Sequence, residues 1–150
     1  GEQKRVFSMI PALRNAEFVR YGVMHRNTFL CSPKLLDRYY ADRRNPLVAF
    51  AGQMTGVEGY VESTASGYLA AVAMAARLAG KEPPAFSKNT AIGALGCYIS
   101  DESIVNFQPM NVNFSIISPL EKRIRKKSEK NLAIAQRSLE EIDGLLARGI

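Results

Sequence analysis

Three glycines, Gly52, Gly56 and Gly59, fall within eight residues and lead straight into a run of Ala, Ser and Gly from Tyr60 to Ala79. The pattern predicts a strand feeding a helix through a glycine loop. Such a junction gathers free backbone N–H groups and the positive end of the helix dipole at one point. It is a binding site for an anion or for the electron-rich edge of a ring. Glycine is needed where a Cβ would block close approach or forbid positive φ. On this pattern the candidate binding residues are those of the loop and helix start, Gly52, Gln53, Thr55, Gly56, Glu58, Gly59 and Tyr60. A plain tight βα connection explains the same glycines. Glu58 and Glu62 are favourable near a helix start without any further role, and Tyr60 could stack on a ring or simply pack. The spacing is neither GxGxxG nor a loop ending in Gly-Lys-Ser/Thr, which excludes the first Rossmann fingerprint and the Walker loop.

A second constellation is the basic cluster Lys122, Arg123, Arg125, Lys126, Lys127 and Lys130. It is either a solvated helix face, with Glu121 and Glu129 as partners, or a phosphate-binding surface. Arg43 and Arg44 form a smaller patch. The single histidine, His25, is followed by Arg26 and Asn27; an isolated histidine reads first as structural.

The elements that must position these residues follow from periodicity and breakers. Residues 2–10 predict a short helix ended by Pro11. Glu17–Tyr21 alternates polar and apolar residues, as a half-buried strand does. Met24–Leu30 and Arg38–Tyr40 are further strand candidates. Leu47–Ala51, between Pro46 and Gly52, predicts a strand buried on both faces. The helix after the loop presents a small face of Ser63, Ser66, Gly67, Ala70 and Ala71, and Gly80 is its C-cap. A second small-residue helix is expected over Thr90–Ile99, capped by Asn89. Residues 101–119 are irregular, with Phe107, Met110 and Phe114 packing and the asparagines satisfying backbone. Glu121–Leu146 is expected as one terminal helix with Leu132, Leu139, Ile142 and Leu146 on its buried stripe.

The 150 residues carry 20 Lys+Arg against 14 Asp+Glu, and 47% are hydrophobic. The apolar fraction excludes a disordered chain. Two cysteines, Cys31 and Cys97, and one histidine exclude a disulfide scaffold and make a multi-histidine metal site unsupported; no metal site is expected. Cys97 reads as a small buried hydrophobe. No apolar run is long enough for a membrane span and no signal peptide opens the chain, so a cytoplasmic protein is expected. The net charge of +6 points to an anionic partner.

The stretch from Phe50 through Ser63 (Phe-Ala-Gly-Gln-Met-Thr-Gly-Val-Glu-Gly-Tyr-Val-Glu-Ser) resembles the C-terminal flavin-binding segment of the TrmFO family, the methylenetetrahydrofolate-dependent tRNA (uracil-5)-methyltransferases. Gly1–Phe7 with Met9-Ile10-Pro11, Val19–Phe29 and Asn106–Phe114 resemble further family stretches, in order along nearly the whole chain. The resemblance implies an α/β fold: the C-terminal part of a Rossmann-like, three-layer FAD-binding domain. Residues 1–40 would be the end of an insertion domain with its return strands, and residues 41–150 the FAD-binding part with the terminal basic helix. It implies FAD near the Gly52-Gln53 turn, with the helix from Gly59-Tyr60 pointing at the pyrimidine edge of the flavin. His25, Arg26 and Asn27 become candidates for the flavin or folate side, and the basic cluster a candidate for tRNA phosphates. The implied reaction moves a one-carbon unit from 5,10-methylenetetrahydrofolate to C5 of a T-loop uridine in tRNA, with reduction by flavin and electrons from NAD(P)H.

The chain corresponds to the last third of such a protein. The other two-thirds, with the dinucleotide fingerprint and the functional cysteines, would lie upstream as its necessary partner. No catalytic residue is therefore expected in this fragment, and none of the family's thiol roles passes to Cys31 or Cys97. The sequence departs from the family pattern at Cys31, Tyr68 and Ala71-Val72-Ala73, which touches helix packing more than function. The alternatives are a GidA-like flavoprotein that modifies the tRNA wobble uridine, a non-catalytic RNA-binding domain, and a flavin oxidoreductase without an RNA substrate.

Overall fold

A computed structural model describes residues 2–22 and 27–149. Among the described residues five α-helices follow in order: α1 (Glu2–Phe7), α2 (Ser32–Leu35), α3 (Tyr60–Leu78), α4 (Ala91–Ile99) and α5 (Lys127–Leu146). Short 3-10 turns occupy Pro11–Leu13 and Gly52–Thr55. Among the described residues the β-structure is limited to isolated bridges, Leu36 with Asp42, Ala41 with Ala49, and Val57 with Met110.

α3 is long because its second half, Leu69–Leu78, is dominated by alanine, with Leu, Met and Arg, the strongest helix formers. Its buried stripe is Ser66, Leu69, Ala70 and Ala73, the i, i+3, i+4, i+7 spacing of one helical face. Of the small face expected from the sequence, Ala71 instead faces solvent. Gly80, at φ 67°, ends the helix as expected. Its N–H donates to Arg77 O (3.0 Å) and that of Lys81 to Ala76 O (2.8 Å), the paired bonds of a Schellman motif. α4 is capped by Thr90, not Asn89: the Thr90 hydroxyl accepts from Gly93 N–H at 3.1 Å. Asn89 instead donates its side-chain amide to Glu141 of α5 at 3.2 Å.

The core is made where α3, α4 and α2 meet. Leu36, Tyr40, Val57, Leu69, Phe86, Leu95, Ile99, Phe107 and Leu145 form one buried cluster, and Ala94, Ile117 and Ile134 a second under α5. α4 lies very close to its neighbours: a Cβ on Gly93 would collide with the carbonyls of Phe86 and Ser87, and one on Gly96 with that of Arg38.

Several sequence expectations are corrected. Glu17–Tyr21 is not a strand. Phe18 stacks on both Phe7 (centroids 5.4 Å apart) and Tyr21 (5.2 Å), so residues 18 and 21 share a side, and Val19 is fully exposed. Gln3 clamps this segment, its side-chain amide bonding both the N–H and the carbonyl of Gly22 at 3.1 Å. Met24–Leu30 falls partly outside the described residues; residues 27–30 are not a strand and are tied by Leu30 N–H to Met54 O at 2.7 Å. Arg38–Tyr40 is a turn, because the Asp37 carboxylate accepts from the N–H groups of Tyr39 (2.8 Å) and Ala41 (3.0 Å) and Tyr40 adopts φ 65°. Of Leu47–Ala51, Leu47 lies in a turn closed by Val48 N–H to Asn45 O at 2.9 Å, and residues 48–51 form an extended run that is not buried on both faces. It has one neighbour, residues 40–42, through Asp42 N–H to Val48 O and Phe50 N–H to Tyr40 O, and Leu47 is 62% exposed.

The terminal helix begins at Lys127 rather than Glu121. Arg137 donates to the carbonyls of Pro119 (2.9 Å) and Ser118, holding the preceding chain against the middle of α5. Ten residues of helix span about 15 Å, so residues 120–126 must run back along α5 by about that distance before it can start. Of the expected stripe, Ile142 packs partly buried against the main core, but Leu132, Leu139 and Leu146 are exposed, and Ile134 and Leu145 are buried instead. The tether to Pro119 turns Ile134, one turn before Arg137, toward the core. Phe114, expected to pack, is 45% exposed, and Cys97 is half-buried.

Two predictions follow from this packing. Gly93→Ala and Gly96→Ala should each destabilise the protein by about 1–3 kcal/mol in chemical denaturation, the cost of overpacking against backbone, despite the better helix propensity of alanine. Around Glu141, burial pushes the carboxyl upward, but hydrogen bonds from Ser87 and Asn89 outweigh it and hold the group below its ordinary value. A depressed carboxylate contributes stability above its unfolded pKa and loses it as pH falls through the folded one. Glu141→Gln should therefore lower Tm at neutral pH, with the gap to wild type closing below the carboxylate range.

Candidate functional site

The glycine turn and the first turn of α3 form the candidate site. All three glycines use the freedom expected of them, with φ of 72° at Gly52, 85° at Gly56 and 92° at Gly59. Their surroundings differ. Gly52 has open contact distances, with Ser63 Cβ 3.7 Å from where a Cβ would stand. At Gly56 a Cβ would run into the Phe107 ring, and at Gly59 into the Glu62 carboxylate, with Asn111 Nδ2 at 2.7 Å.

Much of the turn's hydrogen-bonding capacity is spent internally. Gly52 N–H donates to the Ser66 hydroxyl (2.8 Å), which donates on to Ser63 O (2.7 Å). Gly56 N–H reaches Gln53 O (3.0 Å) and Glu58 N–H reaches Met110 O (3.0 Å). Thr55 is fully buried; its hydroxyl donates to Gly52 O (2.7 Å) and its carbonyl accepts from Ser32 Oγ (2.8 Å). Thr55 and Gly56 thus shape the turn from beneath.

The surface-facing residues are Gln53, Gly59 and Tyr60, with Glu58 half-buried. Tyr60 is 96% exposed, so its ring packs on nothing among the described residues. Gly59 is the N-cap of α3 and no side chain caps the helix. The first amides of α3 therefore keep unshared N–H groups at the positive end of a 19-residue helix. The Glu62 carboxylate stands over Gly59 and is held by Asn111 Nδ2 at 3.5 Å, so a ligand reaching these amides would displace a mobile side chain rather than backbone. Chemically the arrangement offers donors to an anion or ring edge, and a free aromatic face beside them.

Asn27 is exposed, and His25 and Arg26 lie outside the described residues. The contribution of residues 106–114 to the turn is what the sequence did not disclose. Val57 bridges Met110 in parallel, Met110 N–H donates to Gly56 O (3.1 Å), and Phe107 fills the space beside Gly56. No spacing rule connects segments fifty residues apart.

The basic cluster divides into two groups. Arg123, Arg125, Lys127 and Lys130 line one groove of about 790 Å³ together with Phe114 and Asn131. Lys126 pairs with Glu129 at 3.0 Å, and Lys122 lies outside that groove, in a smaller cavity that it shares with Glu121 and with Arg123 and Lys130. Arg43 is engaged in structure, with Ser100 O at 2.7 Å and Glu102 at 3.1 Å. Among the described residues no group of His, Cys, Asp and Glu could hold a metal ion, and no helix is long and apolar enough to cross a membrane.

Comparison with known proteins adds to this geometry. Residues 1–82 match the family described as "Glucose inhibited division protein A". The chain is 57% identical over 147 residues to the methylenetetrahydrofolate--tRNA-(uracil-5-)-methyltransferase TrmFO of Streptococcus suis (strain 05ZYH33), covering 97% of this chain and 33% of that protein. It is 59% identical over 143 residues to the protein of the same name from Lactiplantibacillus plantarum, covering 95% and 32%. For that of Pelotomaculum thermopropionicum the identity is 56% over 142 residues, covering 95% and 32%. The chain thus spans about a third of the length of the curated relatives it matches.

The unequal surroundings of the glycines set an order of tolerance. Gly52→Ala meets only the left-handed backbone, a cost of about 1–2 kcal/mol. Gly56→Ala adds displacement of Phe107, about 1–3 kcal/mol more. Denaturant midpoints should therefore fall further for Gly56→Ala than for Gly52→Ala.

Proposed function

The chain belongs to the glucose inhibited division protein A family, and from that membership we propose that it is the C-terminal part of a folate- and FAD-dependent tRNA (uracil-5)-methyltransferase. The observation that carries this reading is the 57% identity along 97% of the chain to proteins named for that reaction. The reading makes a T-loop uridine the target and NAD(P)H the source of electrons. It also makes this chain part of an α/β, three-layer FAD-binding domain. The extended run at residues 48–51, paired among the described residues only with residues 40–42 and with Val48 exposed, supports that assignment: it is an edge able to join a sheet completed by the rest of the protein.

The residues at the glycine turn suit a flavin. Gly52, Gln53, Glu58, Gly59 and Tyr60 would hold it, with the uncapped amides of α3 offered to the electron-rich edge of its ring system and the exposed Tyr60 ring available for contact. When bound, the flavin supplies the electrons that convert the transferred one-carbon unit to a methyl group. Thr55 and Gly56 act by fixing the turn, and the Asn111–Glu62 contact sets the carboxylate that must swing aside. Asn27, with its neighbours His25 and Arg26, is assigned to the flavin or folate side of the site on the family resemblance.

The test uses the full-length protein. tRNA incubated with methylenetetrahydrofolate and NADPH should gain 5-methyluridine; unmethylated tRNA after incubation with a folded, flavin-loaded preparation rejects the reading. Gly59→Val should lower the flavin-to-protein ratio of the purified protein, and an unchanged ratio would mean that the loop does not approach the cofactor.

A further inference from the structure

We propose that the groove between residues 123–125 and the first turns of α5 is an RNA subsite that takes the backbone phosphates of a single-stranded or loop segment and stacks one base on Phe114. The proposal rests on the reading that the whole protein acts on tRNA, and it assigns a place for the contact.

Its basis is how the structure sorts the charges. A solvated helix face would spread these cations among the neighbouring carboxylates. Instead Arg123, Arg125, Lys127 and Lys130 converge on one concavity, all four are exposed, and none forms an ion pair among the described residues. The nearby carboxylate of Glu129 is spent on Lys126, which does not line the groove. Four unneutralised cations on one wall raise the local anion concentration strongly. α5 adds to this, since it begins at Lys127 with no side-chain cap and directs the positive end of a 20-residue helix to the same place.

The groove is also shaped for more than charge. Its volume of about 790 Å³ lies within the range of roughly 300–1,000 Å³ typical of ligand sites. Phe114 lines it and is 45% exposed, giving a free aromatic face, and a basic groove with an aromatic platform is the combination that holds single-stranded nucleic acid. Asn131 and Ser115 also line it and supply donors and acceptors suited to a ribose hydroxyl or a base edge. A lipid surface is flat and recruits protruding basic residues, whereas these converge inward.

The experiment measures binding of the full-length protein to a labelled tRNA transcript and to a short labelled single-stranded RNA, across a salt series. Arg125→Ala/Lys130→Ala should weaken binding about tenfold or more at low salt, and should reduce the log–log salt slope by about 0.7 for each lost phosphate contact. Phe114→Leu should weaken binding about fivefold or more while leaving the slope in place, since stacking carries no counterion release. Lys126→Ala should leave affinity near wild type, and thermal midpoints confirm that the variants are folded. Unchanged affinity and slope in Arg125→Ala/Lys130→Ala, in a protein that still binds and methylates tRNA, overturns the subsite and leaves the tRNA reading standing. A wild-type protein with no affinity for either RNA removes both. Loss of binding to phosphatidylglycerol vesicles in Arg125→Ala/Lys130→Ala, with RNA binding intact, overturns the subsite in favour of a lipid surface.

Discussion

The contact on which the rest of this structure depends is the one between Gly56 and Phe107. The missing Cβ at Gly56 lets the ring sit against the glycine turn. The same ring meets Phe29 edge-on with centroids 6.0 Å apart, and Tyr98 of α4 at 5.5 Å. One aromatic side chain therefore joins the segment before α2, the entry to α3, the end of α4 and the irregular stretch that follows it. The parallel bridge between Val57 and Met110 is the backbone counterpart of that contact. Where the first turn of α3 points is fixed by packing fifty residues away, not by the glycine loop alone.

The sequence made the local parts legible and left the distant ones hidden. The positive φ of the three glycines, the extent of α3 and its stop at Gly80 follow from rules that act over a few residues, and they can be read off directly. The alternation in Glu17–Tyr21 misled because aromatic stacking and the Gln3–Gly22 clamp override a period-two pattern. The run Leu47–Ala51 has the composition of a buried strand, yet only one edge is matched within these residues; composition reports what a segment prefers, not whether its neighbours are on the same chain. Thr90 displaced Asn89 as the cap because Asn89 finds a better partner in Glu141. The start of α5 was invisible for a different reason. Residues 121–126 have adequate helix propensity, but the carbonyls bound by Arg137 determine where the chain must be when the helix begins.

The candidate site was legible in outline. Gln53, Gly59 and Tyr60 lie at the surface of the turn, and Gly52 is half-buried. Thr55 and Gly56 turn out to be support, and Ser66, which accepts the N–H of Gly52, is an interior partner that no motif announces. The basic cluster was visible as six charges in a row of nine residues. Its division into four that converge and two that do not required the shape of the chain around α5, because the helical phase assumed from the sequence fails before Lys127.

The tether from Arg137 to Ser118 and Pro119 has a consequence for how this region can vary. Both ends of the 120–126 arc are pinned, one by the guanidinium and the other by the helix start, so the arc behaves as a span between fixed abutments. Added or deleted residues there change its height, not the placement of α5 against Ile117 and Ala94. The rim of the basic groove can deepen or flatten by length variation alone, independently of the core that carries it.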